Sequence, residues 1–130
     1  MLNRAREKAG SLSINFLEAD ARKLPFADKT FEQSVISLGL HDMPRPVRLE
    51  VLAEMRRVTK SRLIVTEYYF EESSLYHRLM RKFIALFETS YFRRFSTEGA
   101  VPLLNEAGLS KVDIQKMPLL CFAIYAVDLN

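Results

Sequence analysis

The sequence predicts an α/β fold in which a mainly parallel sheet carries helices on both faces. Strand-like apolar runs, beginning with residues 14–17 and 35–40, alternate with segments of helical periodicity. Both of these runs end in polar residues, at Glu18 and at His41. The last two strand-like runs lie close together, which favours an antiparallel hairpin at the end of the chain.

Length and composition indicate one domain, residues 1–130, because 130 residues that are 48% hydrophobic can bury one sizeable core. The single cysteine, Cys121, rules out a disulfide framework and is expected to be core filler, so a reducing, cytoplasmic location is predicted. No run suits a signal peptide or a transmembrane segment. A net charge of +3 on a mixed surface gives no nucleic-acid footprint.

The first half of the chain begins with a predicted helix at residues 1–9, which Gly10 would end. A strand is expected at 13–18, because apolar residues alternate there. After Pro25, which prevents a regular continuation, residues 31–40 show the pattern of a second, buried strand.

The middle of the chain combines a helix with a strand. Residues 47–59 have one apolar face, and on the polar face Glu54 can pair with Arg57 one turn later. Residues 62–70 follow as a strand rich in β-branched residues, with Glu67 at its carboxyl end.

A long helix is predicted from Ser73 or Ser74 to Phe87. Its apolar residues recur at four-residue spacing: Leu75, Leu79, Phe83 and Phe87. Burial in the core is the favoured interpretation of this stripe. Contact with an apolar substrate or a membrane is the alternative, because Arg78, Arg81 and Lys82 lie opposite it.

The remainder of the chain is predicted as a connector, a helix and two strands. Residues 91–95 are expected to connect, and residues 97–107 to form a helix that Gly108 ends. The strands are expected at 111–117 and 121–129, as an antiparallel pair.

Polar residues at strand ends are the candidates for function, since ligands of open α/β sheets bind at the carboxyl ends of strands. Asp20 is a candidate hydrogen-bond acceptor, with a turn or cap as the alternative. His41 is either a base in a substrate pocket or a structural histidine. Glu67, with Tyr68 and Tyr69, either lines a pocket or is polar because the strand meets water there.

Five segments carry a family resemblance. They are Glu18-Ala19-Asp20-Ala21, Leu24-Pro25-Phe26-Ala27-Asp28-Lys29-Thr30-Phe31, the Val35 to His41 run with its Leu-His-Asp ending, Glu54-Met55-Arg56-Arg57-Val58-Thr59-Lys60, and Leu103-Leu104-Asn105-Glu106-Ala107-Gly108-Leu109. In this order and spacing they resemble the class I S-adenosylmethionine-dependent methyltransferases, in particular the type 11 group.

The resemblance implies a Rossmann-like sheet and S-adenosylmethionine as the cofactor. By the same resemblance, Asp20 accepts a hydrogen bond from the adenine amino group, the Ala21 N–H reaches a ring nitrogen, and Leu24 packs near the base. Three further residues are expected to line the methionine end of the cofactor: Ser37, Leu38 and Leu40.

The sequence departs from the family because it has neither the glycine-rich turn of the first strand nor the acidic residue that ends the second. The sheet is therefore expected to be incomplete, with its first two strands missing between the strands at 13–18 and 31–40. Two interpretations follow. Either the chain is a fragment, from a split gene or a start site chosen too late, or a homo-oligomer or a partner chain completes the sheet. Residues 73–95 correspond to a lid-like insertion, where Tyr76 joins Tyr68 and Tyr69 as a substrate-binding candidate.

The predicted function is methyl transfer to a small-molecule or lipid-like acceptor, with the help of the missing part or of a partner chain. The alternative is a non-catalytic, methyltransferase-like partner or regulatory subunit. Displacement at a sulfonium needs mainly in-line positioning, so the absence of a catalytic triad is no objection. His41 and Glu67 are the catalytic candidates, and no metal is expected.

Overall fold

The computed structural model describes residues 2–129 and contains one mixed sheet of four strands. The strands are β1 (Phe31–Ser37), β2 (Thr59–Tyr68), β3 (Val112–Met117) and β4 (Phe122–Asp128), in the order β1-β2-β4-β3. β1 runs parallel to β2, whereas β4 pairs antiparallel with both β2 and β3. The α/β class and the antiparallel terminal pair are thus confirmed.

Five α-helices accompany the sheet within the described residues: α1 (Leu2–Ala9), α2 (Arg45–Val58), α3 (Leu75–Ile84), α4 (Ser90–Glu98) and α5 (Ala100–Glu106). Met1, the first residue of the predicted helix 1–9, lies outside the described residues. No helix in this part of the chain has the length and hydrophobicity needed to span a bilayer.

Helix α2 forms as its apolar periodicity predicts, and its buried residues include Val51 and Leu52. It begins two residues early, at Arg45, because proline at position 46 fits the first helical turn, where no backbone N–H is needed. On its outer face the Arg57 Nε donates to Glu54 Oε2 at 2.8 Å, which confirms the predicted ion pair.

The core lies between the sheet and α2 with α5. Its fully buried members include Leu52, Leu63, Val65, Leu103, Leu104 and Ala123. The Cys121 side chain is also buried and free, which confirms its prediction as a buried thiol outside any disulfide. Leu40, in the loop that follows β1, also belongs to this close-packed core, so the core anchors that loop.

The predicted strand at 13–18 is wrong, since the chain there is irregular and exposes Ile14 and Leu17 by 50% and 54%. A strand needs a neighbour for its backbone groups, and no strand within residues 2–129 pairs with this segment. β1 likewise pairs only with β2 in the described sheet, so Val35 is 61% exposed rather than buried.

The predicted connector at 91–95 is also wrong, because these residues lie within α4. Phe92 and Phe95 are one helical turn apart, so a helix places both side chains on the same face, where both are buried. The predicted helix at 97–107 is divided at Gly99, whose φ of +74° is a left-handed conformation that interrupts an α-helix.

Helix α3 is shorter than predicted, and its apolar face points away from the core. It begins after Ser74, whose side chain accepts a hydrogen bond from the His77 N–H, and it ends at Ile84. The apolar stripe that was expected in the core is exposed, from 55% at Leu79 to 78% at Phe87 just beyond the helix. The only buried residue of α3 is His77.

Candidate functional site

A buried histidine and a buried glutamate meet at the carboxyl ends of β1 and β2. His41 lies in the loop that follows β1, and Glu67 is next to the last residue of β2. The Nδ1 atom of His41 is 2.8 Å from Glu67 Oε2, and the two residues are 3% and 0% exposed. The parallel pairing of the two strands brings these residues together.

Glu67 binds the loop as well as the ring. Its Oε1 accepts a hydrogen bond from the Leu40 N–H at 2.7 Å and a longer one from the His41 N–H at 3.4 Å. Its Oε2 faces the imidazole. Because a carboxylate only accepts hydrogen bonds, the proton of a neutral His41 lies on Nδ1, and Nε2 is left as an acceptor.

Two more carboxylates and a tyrosine surround the other ring nitrogen. His41 Nε2 lies 3.6 Å from Asp42 Oδ2 and 3.5 Å from Glu88 Oε2. The Tyr68 hydroxyl donates to Glu88 Oε1 at 2.9 Å, and burial together with this hydrogen bond raises the pKa of Tyr68 to about 12. Tyr68 therefore remains a neutral donor at physiological pH.

The charges around His41 change its acidity. Burial disfavours the imidazolium, but the hydrogen bond and charge of Glu67, with the charges of Asp42 and Glu88, outweigh this effect. The pKa of His41 is consequently raised above its ordinary value of 6.5. A proton that arrives at Nε2 is thus stabilised by nearby carboxylates.

The same side chains form a group of potential metal ligands. His41, Asp42 and Glu88 each offer one ligand atom, and these atoms lie within 4.8 Å of one another. One imidazole and two carboxylates form a ligand set typical of divalent transition metals. The absence of a metal, expected from the sequence, remains a prediction.

Aromatic rings enclose the histidine. The ring of Tyr68 lies 4.8 Å from that of His41, and the ring of Phe92, from α4, lies 6.0 Å away. Such walls exclude water and strengthen the electrostatic interactions of the buried pair.

A buried arginine holds the loop that carries His41. The Arg48 Nε donates to the Leu40 carbonyl at 2.7 Å, and its Nη2 donates to the Tyr91 carbonyl at 3.2 Å. Arg48 also lies over the Phe95 ring, at 4.9 Å from its centre. It therefore ties α2 and α4 to the loop after β1.

Tyr68, whose ring contacts that of His41, also lines a cavity of about 230 Å³ between the end of β2 and helices α4 and α5, whereas His41 and Glu67 are not among the lining residues. Tyr68 and Tyr69 line it, with Phe70, Thr97 and Tyr125 among the other lining residues. Tyr76 lies elsewhere, where its hydroxyl donates to the Leu119 carbonyl at 2.9 Å. The three predicted substrate-binding tyrosines are thus not brought to one place.

Asp20 is exposed, whereas the adjacent Ala21 packs against the core. The Arg22 side chain and backbone N–H hold the Asp20 carboxylate, and these hydrogen bonds lower the pKa of Asp20 to about 2. Ala21 is half-buried, and its N–H donates no hydrogen bond within residues 2–129. The backbone N–H of Leu24 donates a hydrogen bond to Glu54 Oε1 at 2.7 Å.

The three residues expected near the methionine end of the cofactor separate into two groups. Ser37 and Leu38 are exposed at the end of β1, and the Leu38 N–H donates to the Thr66 carbonyl at 2.9 Å. Leu40 is fully buried and its side chain packs in the core. The hydrogen bonds of Leu40 with the site are made by its backbone, whose N–H donates to Glu67 and whose carbonyl accepts from Arg48.

Sequence reasoning missed Asp42, Glu88 and Arg48 as members of the site. Asp42 adjoins His41, so proximity in sequence was an available signal. Glu88 and Arg48 gave no such signal. Glu88 reaches the imidazole only because of how the segment between α3 and α4 folds, and Arg48 is a buried residue of α2 that binds the Leu40 carbonyl.

Residues 1–62 match a family described as methyltransferase domain. The demethylmenaquinone methyltransferase of Paenarthrobacter aurescens is 38% identical over 73 residues, which are 55% of this chain and 28% of that protein. The ubiquinone/menaquinone biosynthesis C-methyltransferase UbiE of Rhizobium meliloti is 40% identical over 58% of this chain and 29% of its own length. The chain thus spans less than a third of these curated relatives.

Solved structures share the fold at low sequence identity. A SAM-dependent methyltransferase from Aquifex aeolicus aligns over 98% of this chain and 63% of its own, with a TM-score of 0.65 and 18% identity. Magnesium protoporphyrin IX methyltransferase from Synechocystis, solved with bound SAH, aligns over all of this chain and 60% of its own, with a TM-score of 0.66 and 14% identity.

Proposed function

We propose that the chain is a class I S-adenosylmethionine-dependent methyltransferase that transfers a methyl group to an electron-rich, quinol-like acceptor. Two curated relatives suggest this acceptor class by their names, demethylmenaquinone methyltransferase and ubiquinone/menaquinone biosynthesis C-methyltransferase. The observation that carries the proposal is the buried His41–Glu67 pair, whose imidazole contacts Tyr68 in the wall of the aromatic cavity.

The residues present fit the adenine end of the cofactor. The Asp20 carboxylate is half-exposed and retains lone pairs that can accept from an amine, although Arg22 occupies part of its capacity. The adjacent Ala21 N–H is an unused donor among the described residues. When bound, S-adenosylmethionine supplies a methyl group on a positively charged sulfur.

His41 is proposed to accept the proton of the acceptor at Nε2. Bound S-adenosylmethionine would supply this methyl group to the acceptor's oxygen or ring carbon and would keep the electron pair of the sulfur–carbon bond. The acceptor's proton then passes to His41, where Glu67, Asp42 and Glu88 stabilise the imidazolium. Glu67 acts as a positioning residue, and the rings of Tyr68 and Tyr69 are proposed to pack against the aromatic acceptor.

The proposal is tested by following radiolabelled methyl from S-adenosylmethionine to a short-chain naphthoquinol that lacks its ring methyl group. We expect labelled methylnaphthoquinol in equal amount to the demethylated cofactor. Calorimetric binding of the cofactor without any transfer to quinols would contradict the acceptor class.

Replacing Asp20 by alanine is expected to weaken cofactor binding about tenfold to a hundredfold, because a charge-assisted hydrogen bond to adenine would be lost. Calorimetry with the demethylated cofactor measures this change. Asp28→Ala is the matched control, since Asp28 is also exposed in this segment but pairs with Arg57 instead. If the two variants bind the demethylated cofactor with equal affinity, Asp20 is not part of the cofactor site.

A second candidate function, a partner or regulatory subunit, is favoured by the free edge of β1. A parallel strand with one unpaired edge is a template for another strand, and Phe31 and Val35 expose apolar surface beside it. We propose that a strand from another polypeptide, or from a second copy of this chain, pairs there. The complete assembly would then carry the methyltransferase activity.

Val35→Lys is expected to convert a larger assembly into monomer, because the new charge would be buried by the incoming strand. Light scattering coupled to size-exclusion chromatography measures the mass. Asp113→Lys, on the opposite edge strand β3, is the control and should leave the mass unchanged. A wild-type protein that is monomeric, with or without co-expressed partners, and melts cooperatively would refute the pairing.

A further inference from the structure

Helix α3 and the turn that follows it present an exposed apolar surface. We define the α3 surface by six residues: Leu75, Tyr76, Leu79, Phe83, Leu86 and Phe87. Their exposure ranges from 45% for Tyr76 to 78% for Phe87. An apolar surface of this extent on one helix marks a site of interaction with a partner or a membrane.

The orientation of α3 is set by polar anchors on its inner face. His77 is buried, its Nε2 lies 2.7 Å from the Pro118 carbonyl, and its Nδ1 accepts a hydrogen bond from the Glu71 N–H at 2.8 Å. Because this ring is bound at both nitrogens, the helix cannot rotate its apolar face inward without breaking both hydrogen bonds.

The apolar area extends beyond the helix. The Tyr76 hydroxyl donates to the Leu119 carbonyl, which brings the turn at Leu119 and Leu120 alongside α3. These two leucines are 81% and 60% exposed. Two separate parts of the chain thus present apolar side chains in the same region.

A basic cleft adjoins the apolar area. This cleft, of about 340 Å³, is lined by Arg81, Lys82 and Arg93, together with Leu86 and the hydroxyl residues Ser96 and Thr97. None of these three basic side chains forms an ion pair with a carboxylate in the described part of the chain, where Arg94 by contrast pairs with Glu98. α3 itself contains basic residues and no acidic one.

We propose that the α3 surface docks the protein onto an anionic phospholipid bilayer. The apolar residues would lie at the boundary of headgroups and acyl chains, and Arg81, Lys82 and Arg93 would bind lipid phosphates. Charge decides between a bilayer and a second copy. Two copies joined through this surface would bring the same unpaired cations together, whereas an anionic bilayer neutralises them.

The proposed orientation places the bilayer beside the acceptor cavity. Arg81, Ser96 and Thr97 line both the basic cleft and the cavity that contains Tyr68 and Tyr69. A lipid-like acceptor could therefore enter the cavity from the bilayer without crossing water. Docking itself does not require methyl transfer, so the two proposals fail or succeed separately.

Sedimentation with vesicles tests the proposal. The wild-type chain is expected to co-sediment with vesicles of phosphatidylcholine and phosphatidylglycerol, and much less with phosphatidylcholine alone or at high salt. Leu79→Ser with Phe83→Ser, and separately Arg81→Gln with Lys82→Gln, should each lower the partition coefficient about tenfold or more. Leu12→Ser with Leu17→Ser is the control, because these exposed apolar residues lie outside the α3 surface.

Circular dichroism and thermal melting establish that each variant is folded before it is compared. Absence of binding to anionic vesicles, or equal binding by wild type and both double variants, would overturn the proposal. Two other results would also overturn it. One is loss of vesicle binding in millimolar inorganic phosphate at constant ionic strength, which would indicate a soluble phosphorylated ligand. The other is a wild-type dimer that Leu79→Ser with Phe83→Ser dissociates.

Discussion

Replacing His41 by asparagine is expected to lower the rate of methyl transfer to a quinol-like acceptor about 10²- to 10⁴-fold, the usual contribution of a general base. The substitution removes the Nε2 acceptor while leaving a small polar side chain beside Glu67. The turnover number at saturating cofactor measures this loss, and cofactor affinity should change little. A turnover number close to that of the wild type would show that the proton leaves by another route.

The pH dependence of the rate provides a separate test of the same residue. His41 acts as a base only when unprotonated, and its pKa is raised by its carboxylate neighbours. The rate should therefore rise with pH through a pKa above 6.5, and this rise should be absent from the His41→Asn variant.

His77→Gln is the matched control, because His41 and His77 are the two histidines of the chain and both are buried. The ring nitrogens of His77 bind two backbone groups, the Glu71 N–H and the Pro118 carbonyl, and no carboxylate of the described residues. Its substitution should reduce stability and leave the pH profile in place. A flattened profile in this variant would contradict the assignment to His41.

Replacing Glu67 by leucine is expected to destabilise the fold by about 3–5 kcal/mol, the usual cost of removing one partner from a buried charge pair. The variant would leave the Leu40 N–H and the Nδ1 of His41 without their acceptor. Urea denaturation of both proteins measures the difference in the free energy of unfolding.

Glu98→Leu is the control for this experiment, since Glu98 pairs with Arg45 and Arg94 at the surface. Exposed ion pairs contribute little, so a much smaller loss is expected. Equal losses of unfolding free energy in the two variants would mean that the buried pair stabilises the fold no more than the surface ion pairs do.

The stability of the wild type should also depend on pH through this pair. Because the pKa of His41 is raised on folding, the imidazolium stabilises the fold fully below pH 6.5. This contribution is lost as the pH rises through the folded-state pKa. The loss should shrink in the Glu67→Leu variant, which lacks the partner that causes the raised pKa.

The elements that sequence reasoning predicted well are those with a strong local signal. The apolar face of α2, the β-branched run in β2 and the close spacing of β3 and β4 each specify a structure within a short segment. His41 and Glu67 are candidates in the sequence because polar residues follow strands there, but their contact with each other is visible only in the structure.

Other features needed the whole fold. Residues 13–18 have the composition of a strand, yet a strand forms only where a neighbour accepts its hydrogen bonds. The stripe of α3 has the spacing of a core face, but the spacing does not say which side faces the sheet. The anchors at His77 settle that the stripe faces outward.

The sequence by itself therefore determined the α/β class and most helices and strands, because periodicity is a local property. Only the tertiary structure decided that Glu88 reaches the imidazole, that Leu40 lies in the core and that α3 exposes its apolar face. These outcomes depend on contacts between residues distant in sequence, whose geometry no short segment encodes.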